Sequence, residues 1–492
     1  MLAAVGLFTR GGIIFLLEKN FTLLRLAHDD LQCRRNSADA HARCRFALRA
    51  AVRRVEWCQP IRPGRQLELR PGMAHARSST AHTTDIVIGA GVVGLACAFW
   101  LANDGRQVTV VDRDPAGDKS SFGNAGAVAV PEVVPASQPR LVWRIPGWLL
   151  DPLGPLALRP SHLPGMIPWL LRFLRAGRTE EVARIAALLS ALNRRAQDDM
   201  LALLTSLDLQ GDLHRKGALA VYETDVGFER DADEWALRQR HGIRCEVIDG
   251  DAARELEPSL GALVRRAVIM PQWSHVSDPK RVVDRLREFL LQRGVAFVAS
   301  EALAIEAGEQ PAVRLADGTR LAGASMVVAA GAWSGWLAAS LHDRVLLESE
   351  RGYNMTFAAP GIDVHRPLVF AERKFVATPL AIGLRIGGAA EFAGLAAPAN
   401  YERAHSLVQS ARRYLPGLPA EGGMPWMGQR PSTPDSLPVI GRSPRHKRVF
   451  YAFGHGHLGL TQSSTTGRLL AELVADRDPP LDLSPFSIER FG

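Results

Sequence analysis

The chain has 492 residues, of which 47% are hydrophobic and 22% charged, with five cysteines and a formal net charge of +8. Residues 1 to 72 hold thirteen Lys/Arg against six Asp/Glu, so the remainder from Met73 onward carries only about +1, a balance that argues against nucleic acid as the partner of the folded part. No run of eighteen apolar residues predicts a membrane-spanning helix, and no CxxC spacing or Cys/His cluster points to a disulfide framework or a metal.

Residues 1 to 72 have no sustained period. Leu2 to Leu17 is apolar but is broken by Arg10, Gly11 and Gly12 and followed by no small-residue cleavage site, so it is a poor signal peptide. The extension reads as a disordered leader or an upstream-start artefact, with Met73 as the working start; a basic arm for nucleic acid or an acidic membrane is the alternative. With few cysteines and no spanning helix, the expected compartment is the cytoplasm, with a peripheral contact at the inner face of the cytoplasmic membrane left open.

Asp85 to Asp112 reads as one strand, helix, strand unit. Val87 and Ile88 end a β-rich run; Gly89 permits a tight turn; Gly91 lets a pyrophosphate approach the backbone; Gly94 lets the helix lie close on the sheet. Ala90, Val92 and Val93 complete the turn, Gly105 stops the helix, and the second strand ends at Asp112, where a ribose diol is expected, beside Arg113. Unpaired N–H groups at the helix N-terminus suit the phosphates of a dinucleotide.

Residues 140 to 174 combine Trp143, Trp148 and Trp169 with prolines and Arg140, Arg144, Arg159 and Arg172, a stretch that either packs a connecting loop or docks on a membrane. Residues 190 to 260 read as helices followed by short strands. From Ser277 to Val298 a helix capped by Asp278, with Pro279 in its first turn, runs to Gly294 and a strand. Asp317 and Gly318 make a hairpin turn, and Met326 to Ala330 is a buried strand ending at Gly331. Residues 346 to 424 read as strands, then a helix. The expected fold is α/β: a Rossmann-like nucleotide domain from residues 83-189, 268-345 and 425-492, interrupted by an α+β second domain from 190-267 and 346-424.

Near the C-terminus, GHGHLGLT brings Gly454, Gly456 and Gly459 together so that backbone can press on a flat ring, with the helix beginning near Leu458 aiming its positive end at it. Leu460 follows, and Thr461 can donate a hydrogen bond. His455 or His457 can act as a base or merely pack. In GQRPSTPDSLPVIG three prolines make a rigid loop fixed by Asp435, and Arg430 either binds a carboxylate or clamps that loop.

GAGVVGL, the mid-chain VVAAGAWS, GQRPSTPDSLPVIG and GHGHLGLTQSSTTGRLLAEL, in that order, make residues 83 to 492 resemble the FAD-dependent amino-acid oxidase and dehydrogenase superfamily, most closely its bacterial D-amino-acid dehydrogenase branch. The resemblance implies FAD, a flavin-contacting turn at Ser120, Ser121, Asn124, Ala125 and Gly126, and further cofactor contacts at Val298, Ala330, Gly331 and Trp333. It also implies oxidative deamination of a D-amino acid by hydride transfer from Cα to the flavin, giving an imine and then a 2-oxo acid, with a quinone-type acceptor. The carboxylate anchor is expected to be an arginine with a tyrosine. Some relatives carry an arginine directly after a proline where this chain has Pro379 and Leu380, so the candidates are Tyr353 and Arg430, then Arg351, Arg373 and Arg385. His275 is a candidate at the pocket edge or a helix-start packing residue. A cyclic D-amino acid such as D-proline or a hydroxy-D-proline is the alternative substrate, and an NAD-binding or regulatory module is the alternative from another class.

Overall fold

The computed structural model describes residues 84–139, 153–154 and 156–492, together with 8–9 and 12–13. The chain divides into two compact units, Met1–Ser78 and Ser79–Gly492. In the first, Phe8–Thr9 pairs antiparallel with Gly12–Ile13. The rest of the basic extension, and Arg140, Trp143, Arg144 and Trp148, lie outside the described residues.

In the second unit, β1 (Asp85–Ile88) sits inside a six-stranded sheet. α1 (Val92–Asn103) crosses to β2 (Val108–Asp112), the crossover that parallel neighbours require. Ala296–Ala299 extends the sheet beyond β2, while Met326–Val328 and then Val449–Phe453 extend it beyond β1, all in parallel; Val439–Arg442 closes the far edge antiparallel. β1 is buried along its whole length, as a strand covered on both faces must be. The Pro279–Gln292 helix begins where the Asp278 side chain accepts from the Lys280 N–H, and it turns Val282, Val283, Leu286 and Leu290 inward. α2 (Gly459–Val474) lies against α1. A Cβ on Gly467 would stand 2.5 Å from the Ala96 carbonyl oxygen, so only glycine lets these two helices approach so closely.

The larger sheet has nine strands. β3 (Glu348–Phe357) pairs antiparallel with β4 (Gly383–Phe392) on one side and with β5 (Met424–Ser432) on the other. Beyond β4 come Phe375–Leu380, Leu368–Phe370, Ala218–Tyr222, Arg266–Met270 and Glu246–Asp249. The expected domain boundaries at 267/268 and 424/425 therefore fall at strands of this sheet. Nine residue pairs in register join β5 to β3, which places β5 with the second sheet and not with the nucleotide strands.

Side-chain alternation then sorts β3 into two faces. Tyr353, Met355 and Phe357 pack with Leu384 and Ile386 of β4 and with Leu407 and Val408 of the Glu402–Arg412 helix. The opposite face carries Glu350, Gly352, Asn354 and Thr356. In register beside them stand Arg430, Gly428 and Trp426 on β5 and Arg385 on β4.

Candidate functional site

A cavity of about 1260 Å³ runs from the C-terminal ends of the parallel strands to the Glu350 face of the larger sheet. That exceeds the roughly 300–1,000 Å³ of pockets for drug-sized ligands and suits a larger cofactor with a substrate beside it.

At the nucleotide end, Gly89 has φ +114°, and a Cβ there would meet the Ala329 carbonyl oxygen at 2.3 Å. A Cβ on Gly94 would meet the Gly89 oxygen at 2.0 Å, whereas one on Gly91 would find nothing closer than Ser121 Oγ at 3.9 Å. Two glycines thus fit the chain to itself, and the third leaves open space before the N-terminus of α1, where Gly91 offers no capping side chain. Ser121 Oγ accepts from the Val92 N–H at 3.1 Å. Asp112 ends β2 with Oδ2 accepting from the Ala90 N–H and Oδ1 from the Asp114 N–H, both at 2.8 Å, and with Lys119 Nζ 3.1 Å from Oδ1. The Arg113 guanidinium lies 4.2 Å above the Trp333 ring. Open backbone at a helix N-terminus with a fixed carboxylate at the end of the second strand fits the pyrophosphate and ribose of FAD.

At the other end, the 454–459 turn borders the cavity, with Gly454 at φ +82° and Gly456 at φ +52°. His455 is buried, its Nε2 lies 3.0 Å from Thr466 Oγ1, and burial pushes its pKa down to about 3, so it is neutral and a poor base at pH 7. His457 is exposed at the same rim. Thr461, expected to hydrogen-bond the flavin, donates to the Ala127 carbonyl and accepts from the Ala129 N–H instead. Its hydroxyl completes the backbone bonding of a short strand, Ala127–Ala129.

β5 meets this turn through a bridge between Ser432 and His455. Arg430 Nη1 donates to Glu350 Oε1 at 2.8 Å and to the Ala389 carbonyl, while Ser432 Oγ donates to Glu350 Oε2 at 2.8 Å. Burial acts to raise the Glu350 pKa, but Arg430, His457 and Ser432 outweigh it and hold the carboxyl below its usual range. A Cβ on Gly352 would stand 2.1 Å from Arg430 Nη2, so the guanidinium lies directly over that glycine.

Arg385 borders the cavity as a clamp. Its Nη1 donates to the carbonyls of Phe122 and Asn124 at 2.7 and 2.6 Å, its Nε donates to Thr356 Oγ1, and burial pushes its pKa down to about 10, leaving it charged at pH 7. Arg351 and Tyr353, expected at the substrate, are engaged elsewhere. Arg351 is fully buried and donates to the carbonyls of Gly394, Ala397 and Pro398. The Tyr353 hydroxyl donates to Glu391 and accepts from the Asn400 N–H, although the residue itself borders the cavity. The parity of β3 turns both side chains toward that loop. Arg373 pairs with Glu223 outside the cavity.

His275 is likewise not at the pocket edge. Trp273–Val276 is the middle strand between Ala127–Ala129 and Leu213–His214, and this buries the ring 4.9 Å from that of His214. Burial, then His214, pushes its pKa down to about 4. Val87, Ala90, Gly94, Gly126 and Val298 shape the site from behind and do not line the cavity; Ile88, Gly89, Gly91, Val92, Val93, Ser120, Ser121, Asn124, Ala125, Ala330, Gly331, Trp333, Leu458, Gly459 and Leu460 do line it. Sequence reasoning missed Glu350, Gly352, Asn354, Gly123 and Trp426. An alternating E-x-G-x-N strand set opposite W-x-G-x-R is the signal that could have found four of them.

Residues 86–473 match the family described as DAO: FAD dependent oxidoreductase. The chain is 35% identical over 415 residues to a D-amino-acid oxidase of Bradyrhizobium diazoefficiens, an alignment covering 82% of this chain and 98% of that one. It is 31% identical over 418 residues to a D-amino acid dehydrogenase of Sinorhizobium medicae, covering 83% and 99%. Glycine oxidase from Geobacillus kaustophilus shares the fold with a TM-score of 0.66 at 21% identity, covering 82% of this chain and 98% of that structure.

Proposed function

The chain belongs to the DAO family of FAD-dependent oxidoreductases, and from that premise we propose that it oxidatively deaminates D-amino acids and passes the electrons to a quinone-type acceptor. A bound FAD would supply the hydride acceptor for the substrate Cα once the ammonium has given up a proton to solvent, and the resulting iminium would be hydrolysed by water to a 2-oxo acid and ammonium.

The observation that carries this reading is the Arg430–Glu350 pair on the cavity wall beside the 454–459 turn. At neutral pH an amino acid is a zwitterion, and this wall displays a guanidinium and an ionised carboxylate side by side, opposite in sign to each end of it. Both Arg430 bonds leave from Nη1, which leaves the Nε and Nη2 donors for a ligand carboxylate. Glu350 accepts from the ammonium. Gly352 and Gly428 leave room on this wall for the Arg430 guanidinium and the Trp426 ring, which lie where their side chains would be. Arg385 holds the Phe122–Asn124 turn against the larger sheet and so positions the cofactor's neighbours relative to the substrate. The names of the relatives at 31–35% identity support the D-configuration.

Anaerobic flavin reduction by a panel of D-, L- and cyclic amino acids tests the reading, followed by reoxidation with a quinone analogue against oxygen. Reduction by D-amino acids and faster reoxidation by the quinone are expected. Reduction by L-amino acids or glycine alone would refute the substrate class.

A further inference from the structure

The Leu163–Ala176 helix has an apolar side packed inward and a second apolar stripe left in water. Its inner side is Met166 and Trp169, buried with Phe392, together with Leu170 and Phe173; these four helix residues line the cavity. Trp169 stacks on Phe173 and donates from Nε1 to the Ser432 carbonyl at 3.1 Å, which fixes how the helix is turned. Leu163, Ile167, Leu171 and Leu174 follow a different helical stripe and are 39, 49, 63 and 47% exposed. With Leu153 they make five of the thirteen large apolar side chains exposed among the described residues, gathered within one short stretch of chain. Exposed leucines scattered singly need no explanation, but a contiguous stripe does.

The surroundings of the stripe specify its partner. Arg172, Arg175 and Arg178 are exposed, and no Asp or Glu occurs between Leu153 and Arg178. At 100° per residue, Arg175 and Arg172 follow directly on the apolar arc, on the side away from the buried face. An apolar arc edged by cations and free of acid is the pattern of a helix that lies in the plane of an anionic lipid surface, its leucines at the acyl boundary and its arginines at the headgroups. Among the described residues no helix is long and apolar enough to cross a membrane, so the contact is peripheral.

We propose that the outer stripe of the Leu163–Ala176 helix docks this protein on an anionic membrane. The cavity wall formed by the inner side of the same helix is then about one helix diameter, roughly 10 Å, from the lipid. This deepens the reading of a lipid-soluble electron acceptor and rests on it for its purpose, while docking itself is measured without turnover.

The test is flotation of the full FAD-loaded chain with vesicles of phosphatidylcholine alone or mixed in equal parts with phosphatidylglycerol. The wild type floats with the anionic vesicles. Ile167→Ser/Leu171→Ser lowers the partition coefficient by about tenfold or more, since each residue forfeits the transfer of a half-exposed apolar side chain. Arg172→Glu/Arg175→Glu lowers it as well and abolishes the preference for phosphatidylglycerol. Both variants keep the wild-type melting temperature and rate of flavin reduction by an amino acid. A wild type that stays with the aqueous fraction, or a serine variant that floats equally well, overturns the proposal. So does a wild type that is dimeric and a serine variant that is monomeric, which would give the stripe to a second copy of the chain. Flotation without turnover of any amino acid would sink the substrate reading and leave the docking intact.

Discussion

Gly352→Ala perturbs the proposed substrate wall without removing a charge. The backbone at this position is not left-handed, so alanine is conformationally allowed. Its methyl carbon would lie 2.1 Å from Arg430 Nη2 and 2.2 Å from Cζ. Non-bonded carbon contacts settle near 3.5 Å, so the guanidinium must retreat by more than about 1 Å. That movement stretches the 2.8 Å bond to Glu350, and a hydrogen bond between charged groups contributes about 1.5–3 kcal/mol. At about 1.4 kcal/mol per tenfold, kcat/KM for amino acids falls about 10- to 100-fold. The three atoms nearest the new methyl all belong to Arg430, so FAD affinity stays at the wild-type value. Stopped-flow flavin reduction, comparing an amino acid with the amine that lacks its carboxylate, checks both parts. An unchanged kcat/KM for the amino acid, or an equal loss for the amine, would refute the role given to Arg430.

Asp112→Ala is expected to weaken FAD binding by about 1.5–3 kcal/mol while protein that still holds the cofactor reacts at the normal rate, as read by flavin titration and single-turnover kinetics. Tyr353→Phe leaves the Asn400 N–H without its acceptor, so it lowers stability by about 1–3 kcal/mol in denaturant titration with KM unchanged; a raised KM at full stability would return Tyr353 to the substrate. His275 and His455 have folded pKa values pushed down to about 4 and about 3, so between pH 6.5 and 4 the unfolded chain binds two protons that the folded chain does not. Their contribution is fully present above pH 6.5 and is lost as pH falls, by about 1.4 kcal/mol per unit for each histidine. A His275→Asn/His455→Asn variant whose stability falls just as steeply over that range would count against this account.

The parts of the fold that sequence made legible are local. Gly89, Gly91, Gly94 and Asp112 lie within one strand, helix, strand unit, and Asp278, Pro279 and Gly294 bracket one helix, so spacing along the chain determines them. The proposed substrate wall is non-local. Arg351 and Tyr353 are the chemically conspicuous residues of ERGYN, but where both faces of this stretch carry polar groups only the pairing with residues some eighty positions away decides which face meets the cavity. The polar side chains of Arg351 and Tyr353 therefore bond to the 394–400 loop and Glu391, while Glu350 stands on the face that meets the cavity. Thr461 and Arg385 line the cavity, but each also satisfies backbone groups of a segment more than 250 residues away, a demand that no local pattern records.

Trp426 lies across two bare backbone positions, its ring carbons at 1.9 Å from where a Cβ of Gly123 would be and 2.1 Å from where one of Gly428 would be. The three residues share a single volume on the cavity wall and cannot be exchanged one at a time. A side chain at either glycine expels the indole, and a smaller residue at 426 leaves a hollow that borders the cofactor turn on one side and the substrate strand on the other. Remodelling this enzyme for a bulkier ligand thus proceeds through paired replacements, with each intermediate single substitution paying for its gain in space with either overlap or a void.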